Sequence, residues 1–174
     1  MKLIRHTILP LILVFTVTSI VISQNKAVKS ENDGWLIDVN EAYKQSKKKK
    51  VPILANFTGS DWCGWCKRLK SVALDKPEFK EWAKKNVVLL ELDFPRRKKL
   101  PDNIKKQNRE LQQVFGVRGY PTIWIFNMVK EKGTDKFSIN GIGQTGYPSG
   151  AQPGKEVDKF IADLEKILLK GKTQ

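Results

Sequence analysis

Cys63 and Cys66 lie in the run Trp62-Cys63-Gly64-Trp65-Cys66, and they are the only two cysteines among 174 residues. At the start of a helix, Cys-x-x-Cys brings two sulfurs within bonding reach. It also leaves the first sulfur beside backbone N–H groups that no helical carbonyl accepts. Those groups and the helix dipole favour a thiolate, the reactive form of cysteine. Cys63 can then attack a disulfide, and Cys66 can resolve the mixed disulfide that results. Gly64 permits the tight turn, and Trp62 can shield the site on one side. Two other uses of the pair are weaker. A zinc site needs two more soft ligands, and after His6 the chain offers no other Cys or His. A purely structural disulfide would close too small a loop to restrict the unfolded chain much.

Such a site needs a strand to deliver the motif and a helix to hold it, and both are legible around it. Val51 to Phe57 (VPILANF) is apolar and of strand length, consistent with a buried central strand. Thr58-Gly59-Ser60-Asp61 reads as a loop, and from Cys63 onward Leu69, Val72 and Ala73 recur near helical spacing. Upstream, Asp38 is a credible N-cap for a helix through Lys47. Downstream, Asp75-Lys76-Pro77 breaks the pattern, and Pro77 suits the first turn of a helix carrying Phe79, Trp82 and Ala83.

Val87–Leu92 is a second buried strand, followed by a basic loop, Arg96 to Lys99. Asp102 is expected to cap the next helix, which Gly116 ends. Ile123–Phe126 reads as a third strand. Phe137, Ile139 and Ile142 suggest its hairpin partner. Residues 141–154, with five glycines and two prolines, read as an irregular loop carrying Tyr147. A final helix is expected over Lys155–Leu169. Strands alternating with helices and then a hairpin favour a three-layer α/β domain around a mixed sheet.

The chain's start speaks to compartment. Lys2, Arg5 and His6 precede a largely apolar run from Ile8 to Ile22, and no acid occurs before Glu31. That run is shorter than the roughly 20 residues needed to span hydrocarbon, and Val21 and Ser23 suit the −3 and −1 places of a cleavage site. We therefore expect residues 1–23 to be a signal peptide, 24–33 a flexible leader, and 34–174 the domain. An uncleaved N-terminal anchor is the alternative. Export would place the cysteines where disulfides persist. It would also remove Lys2 and Arg5, lowering the net charge from +14 to +12. The basic clusters Lys47–Lys50, Arg96–Lys99 and Lys105-Lys106 read chiefly as solvated surface, and charge alone does not argue for nucleic acid. Trp35, Trp82 and Trp124 are assigned to packing.

Tyr120-Pro121 lies before a strand, downstream of the cysteines. A cis proline there would set a backbone edge beside the sulfurs, able to pair with an extended substrate. With these features together, VPILANFTGSDWCGWCKRL, VVLLELD, VFGVRGYPTIWIF and GYPSG resemble the thioredoxin superfamily over about residues 34–170. The resemblance is nearest to secreted or periplasmic thioredoxin-like disulfide-interchange proteins. It implies a thioredoxin-like α/β/α sandwich with Cys63 as attacking thiol, Cys66 as resolving thiol and Pro121 as the cis proline facing them. It also implies that Trp62, Gly64, Trp65 and Tyr120 flank the substrate.

Departures from the family's pattern bear on direction. Trp65 stands where thioredoxins have Pro and strong oxidants often have His. Asn56 falls where many thioredoxins have a buried Asp, and Leu89 where its Lys partner would be, leaving Asp61 or Glu91 as candidate substitutes. The sequence thus favours an exported protein-disulfide oxidoreductase, tilted toward reduction or interchange. Expected partners are protein thiols or disulfides and a redox partner not yet identified. No cofactor, metal, nucleic acid or oligomer is expected, nor stable membrane insertion once the signal is cleaved. The rival reading is a polypeptide-binding module whose cysteines do not turn over.

Overall fold

The computed structural model describes residues 30, 32–134 and 136–172. The expected signal peptide, and all of the leader except residues 30, 32 and 33, lie outside the described residues. Asp38 does cap the first helix, α1 (Val39–Lys49), its carboxylate accepting from the Asn40 and Glu41 N–H groups. The apolar run that follows forms β1 (Ile53–Thr58), buried at every position. After the cysteine motif come α2 (Gly64–Leu69), a π-helical turn over Lys70–Leu74, and α3 (Pro77–Asn86) with Pro77 at its start. Then β2 (Val88–Asp93), α4 (Asp102–Val114), β3 (Thr122–Lys130), β4 (Phe137–Thr145) and α5 (Glu156–Lys172) complete the order.

The four strands align as β2-β1-β3-β4, with β2 parallel to β1 and the other two pairs antiparallel. This is the mixed sheet expected from the element order. Alternation along each strand divides the core. Leu54, Ile123 and Ile125 pack with Leu69, Phe79, Phe160 and Leu164 from the α2, α3 and α5 side. Ile53, Ala55, Phe57, Leu90 and Phe126 pack with Ala42 and Leu111 from the α1 and α4 side. Leu36 extends the β2 edge by one bridge to Leu90, its N–H donating to Leu89 O and its carbonyl accepting from Glu91 N.

Three expectations are corrected. Asp102 is the first residue of α4 rather than its cap, a place where its carboxylate still suits the helix dipole; Pro101 stands at the cap. Residues 141–145 belong to β4, although their glycines read as a loop. A Cβ on Gly141 would lie 3.0 Å from the Trp124 ring, and one on Gly143 would lie 2.9 Å from Ile167. Glycine therefore marks places where neighbouring side chains close onto the strand. Likewise α5 runs past Leu169 through Gly171, where a Cβ would meet Ile142 at 2.6 Å.

Candidate active site

The topology gathers four chain segments at one end of the sheet. The C-terminal ends of β1, β2 and β4 and the N-terminal end of β3 all point the same way. The β1 end carries residues 59–66, and Tyr120-Pro121 leads into β3. The loop after β2 and the loop after β4 stand on opposite sides of them.

The motif is held as a capped helix start. Cys63 has extended backbone and serves as the N-cap of α2, its sulfur accepting from the Cys66 N–H at 3.1 Å. The two cysteines form a disulfide with S–S 2.07 Å and Cα–Cα 5.3 Å. They are 7% and 5% exposed, so only a small part of the pair is open to solvent. Gly64 does not play its expected part. Its φ is not positive and a Cβ there would meet nothing within 4 Å, so the turn does not demand glycine.

Trp62 is fixed from several directions. Its indole lies on Gly59, where a Cβ would fall 2.5 Å from the ring. Its Nε1–H donates to the Phe94 carbonyl at 2.8 Å, and its ring meets that of Tyr120 edge-on at 5.8 Å. This last contact sets the cis Tyr120–Pro121 bond beside the residue that precedes Cys63. The Tyr120 hydroxyl accepts from Gln112 Nε2 at 2.8 Å. Burial raises its pKa above the ordinary value, and the Gln112 hydrogen bond opposes that rise. Trp65, by contrast, is 56% exposed, and its ring meets Tyr147 edge-on at 5.0 Å. Tyr147, on the loop after β4, thus flanks the site.

Behind Cys66 lies a cavity of about 330 Å³ whose sheet wall is polar. Asn56, Thr58, Glu91 and Asp93 reach it from the same sheet face as Leu54, since Asn56 pairs with Glu91 and Thr58 with Asp93. Asn56 is buried, and among the described residues its Oδ1 has no hydrogen-bond partner. Glu91 is 7% exposed and accepts from Ser30 Oγ and Asn32 Nδ2, so two described residues of the expected leader are tied to the sheet. Asp93 accepts from the Ser60 N–H and hydroxyl. Of the two candidate substitutes for the family's buried acid, Glu91 lines the cavity with Cys66 and Asp61 does not. Among the described residues no cluster of His, Cys, Asp and Glu could hold a metal.

Asp61 has a different task. Its carboxylate accepts from the N–H groups of Arg96, Arg97 and Lys98, anchoring the loop after β2. The Arg96 hydrogen bond is the main cause of its lowered pKa; burial opposes it, and the Arg97 and Lys98 hydrogen bonds reinforce it. A carboxyl with a depressed folded pKa stabilises the loop above its ordinary value of 3.8. That stabilisation is lost as pH falls through the lower, folded value. The amide resonances of Arg96, Arg97 and Lys98 should therefore shift together below pH 3.8. Asp61→Ala should remove that titration and speed hydrogen exchange at the same amides. Independent titration of the three would contradict the anchor.

Sequence reasoning did not find Arg68, Arg96 or Gln112 at this site. Arg96 lies over the Trp62 ring at 4.0 Å, and Arg68 lies over Trp65 and Tyr147 at 5.7 and 5.6 Å. From its basic neighbours alone, Arg96 reads as one more solvated cation. Its partner lies 34 residues away along the chain, on another loop, and nothing local marks the pairing.

A thioredoxin-like family model matches residues 34–127. The disulfide bond reductase DsbH of Chlamydia pneumoniae is 33% identical over 102 residues, covering 59% of this chain and 61% of that protein. The thioredoxin-related protein DsbJ of the same organism is 26% identical over 132 residues, covering 76% and 36%. The chain thus spans less than two thirds of either relative. A solved structure of a DsbH oxidoreductase superposes with TM-score 0.63 at 25% identity, covering 84% of this chain and 92% of that one. A thioredoxin from Thermus thermophilus shares the fold at TM-score 0.53 and 16% identity, covering 79% and 88%. With the family match extending over more than half its length, and with a Cys-x-x-Cys disulfide at the end of β1, the chain belongs to the thioredoxin-like family.

Proposed function

We propose that this protein is an exported thiol–disulfide oxidoreductase that exchanges disulfides with polypeptide substrates through Cys63 and Cys66. The observation that carries the reading is the Cys63–Cys66 disulfide itself, closed across the first turn of α2. In the reduced protein, the Cys63 thiolate attacks one sulfur of a substrate disulfide. A mixed disulfide forms, and the first substrate thiolate leaves. The Cys66 thiolate then attacks Cys63 Sγ and expels the second substrate thiolate. Two electrons pass to the substrate and the Cys63–Cys66 bond forms. Trp62, Gly64, Trp65, Tyr120 and Pro121 border the approaching chain, with the backbone at Pro121 as an edge for an extended segment.

Reduction is the favoured direction. Trp65 carries no charge to stabilise the Cys63 thiolate, and the relative DsbH is named a disulfide bond reductase. A separate donor would then recharge the pair. Export rests on the composition of residues 1–23. The protein works as a monomer in this reading. Equilibrating Cys63–Cys66 against glutathione, with the oxidised fraction read by mass after thiol labelling, tests the direction. A potential near about −270 mV supports reduction, whereas one near about −120 mV would reverse it. The exposed Trp65 also suits a polypeptide-binding module. That reading requires affinity for unfolded chains to persist, as the sole activity, when both cysteines are replaced by serine.

A further inference from the structure

Two guanidinium groups stand at the mouth of the site, each seated on an aromatic ring. Arg96 comes from the loop after β2 and lies 4.0 Å from the Trp62 ring centroid. Arg68 comes from α2 and lies 5.7 and 5.6 Å from the rings of Trp65 and Tyr147. The sheet order sets these two aromatic seats apart. Trp62 is fastened to Phe94, after the edge strand β2, and Trp65 leans on Tyr147, after the opposite edge strand β4. The cysteine motif follows β1 and Tyr120-Pro121 precedes β3, the two central strands between them.

The acids nearby are turned to internal work. Asp61 accepts three loop N–H groups, and Asp93 accepts from Ser60. Glu91 is buried against Ser30 and Asn32. The arginines keep their outer faces at the surface. A guanidinium stacked on a ring has part of its orientation already fixed, and its planar fork matches a carboxylate in two hydrogen bonds.

We propose that the site selects disulfides in extended segments whose cysteine is bracketed by Asp or Glu, with Arg96 and Arg68 receiving carboxylates on either side. This names the substrate class for the exchange reading and rests on it. A segment laid along the Pro121 edge presents neighbours on both sides of its cysteine, toward the Trp62–Arg96 seat and the Trp65–Arg68 seat. Opposite charge raises the rate of productive encounter, and lysine in those places repels.

Single-turnover reduction of three matched peptide disulfides by the reduced protein provides the test. Their cysteines are flanked by Asp/Glu, by Ser/Gln or by Lys. At low salt the acidic peptide should react about tenfold faster than the lysine peptide. That ratio should fall toward unity in about 1 M salt, where the Debye length is about 3 Å. The double variant Arg68→Gln/Arg96→Gln should lower the ratio at low salt to about twofold, and Arg68→Glu/Arg96→Glu should invert it. Equal rates for the acidic and lysine peptides, with the neutral peptide reduced, would overturn the inference and leave the exchange reading standing. An unchanged ratio in the double glutamine variant would do the same. Failure to reduce any of the three would overturn both.

Discussion

Cys63→Ser is expected to lower disulfide reduction by at least about a thousandfold, the scale on which removing an enzyme's nucleophile acts. Serine is close to isosteric with cysteine, but its alkoxide is not accessible near neutral pH, so the first bond to substrate sulfur cannot form. The companion variant separates the roles. Cys66→Ser keeps the thiol proposed to attack and removes the one proposed to resolve, so exchange should stop after its first step. A covalent mixed disulfide between Cys63 and the substrate should then accumulate, visible as a mass increase that dithiothreitol reverses. Insulin reduction, followed by precipitation of the released chain, checks the first variant. Intact mass after incubation with a peptide disulfide checks the second. Wild-type turnover in Cys63→Ser would remove the proposed chemistry. Trapping in Cys63→Ser but not in Cys66→Ser would exchange the two roles. Serine at position 63 suits the fold, because Cys63 is the N-cap of α2 and a serine oxygen can cap in its place.

The largest effect expected on stability comes from Phe79→Ala. Phe79 is fully buried on α3, with its ring against Trp35 at 6.5 Å, Trp82 at 6.0 Å and Phe160 at 5.7 Å. Four aromatic rings from the segment before α1, from α3 and from α5 meet there, so truncation leaves a cavity that no single neighbour can fill. Loss of about 3–5 kcal/mol is expected, a large share of the roughly 5–15 kcal/mol that holds a typical domain folded. Urea unfolding by tryptophan fluorescence measures it. The midpoint should drop markedly with little change in slope. A loss under about 1 kcal/mol would mean that the surrounding rings collapse into the space. The site lies at the end of the sheet, so the folded fraction of this variant should retain its exchange activity.

Much of the fold was legible because its signals are local. Asp38 caps α1, Pro77 opens α3 and Gly116 follows α4 with φ +59°, each where its own backbone preference places it. The apolar runs around Leu54 and Leu90 form adjacent buried strands because continuous hydrophobicity suits a sheet covered on both faces. The corrections at glycine have one cause. Gly141 and Gly143 read locally as loop residues, and the expected helix stops before Gly171, yet all three glycines serve Trp124, Ile167 and Ile142, which approach from other elements. The π-helical turn at Lys70–Leu74 carries no local mark that sequence periodicity would separate from an α-helix.

The same division runs through the site. The sequence by itself determined the disulfide pair, since the spacing of Cys63 and Cys66 and the helix that follows are properties of one short segment. It also pointed to Pro121, through its place before a strand. Only the tertiary structure decided what surrounds the pair. The sheet order β2-β1-β3-β4 brings the loops after both edge strands to the end that holds the cysteines, which no local pattern states. That order sets Arg96 on Trp62, Tyr147 beside Trp65, and Glu91 in the cavity behind Cys66. Covalent spacing is written in neighbouring residues, whereas a cation over a distant ring exists only once the sheet has fixed both backbones.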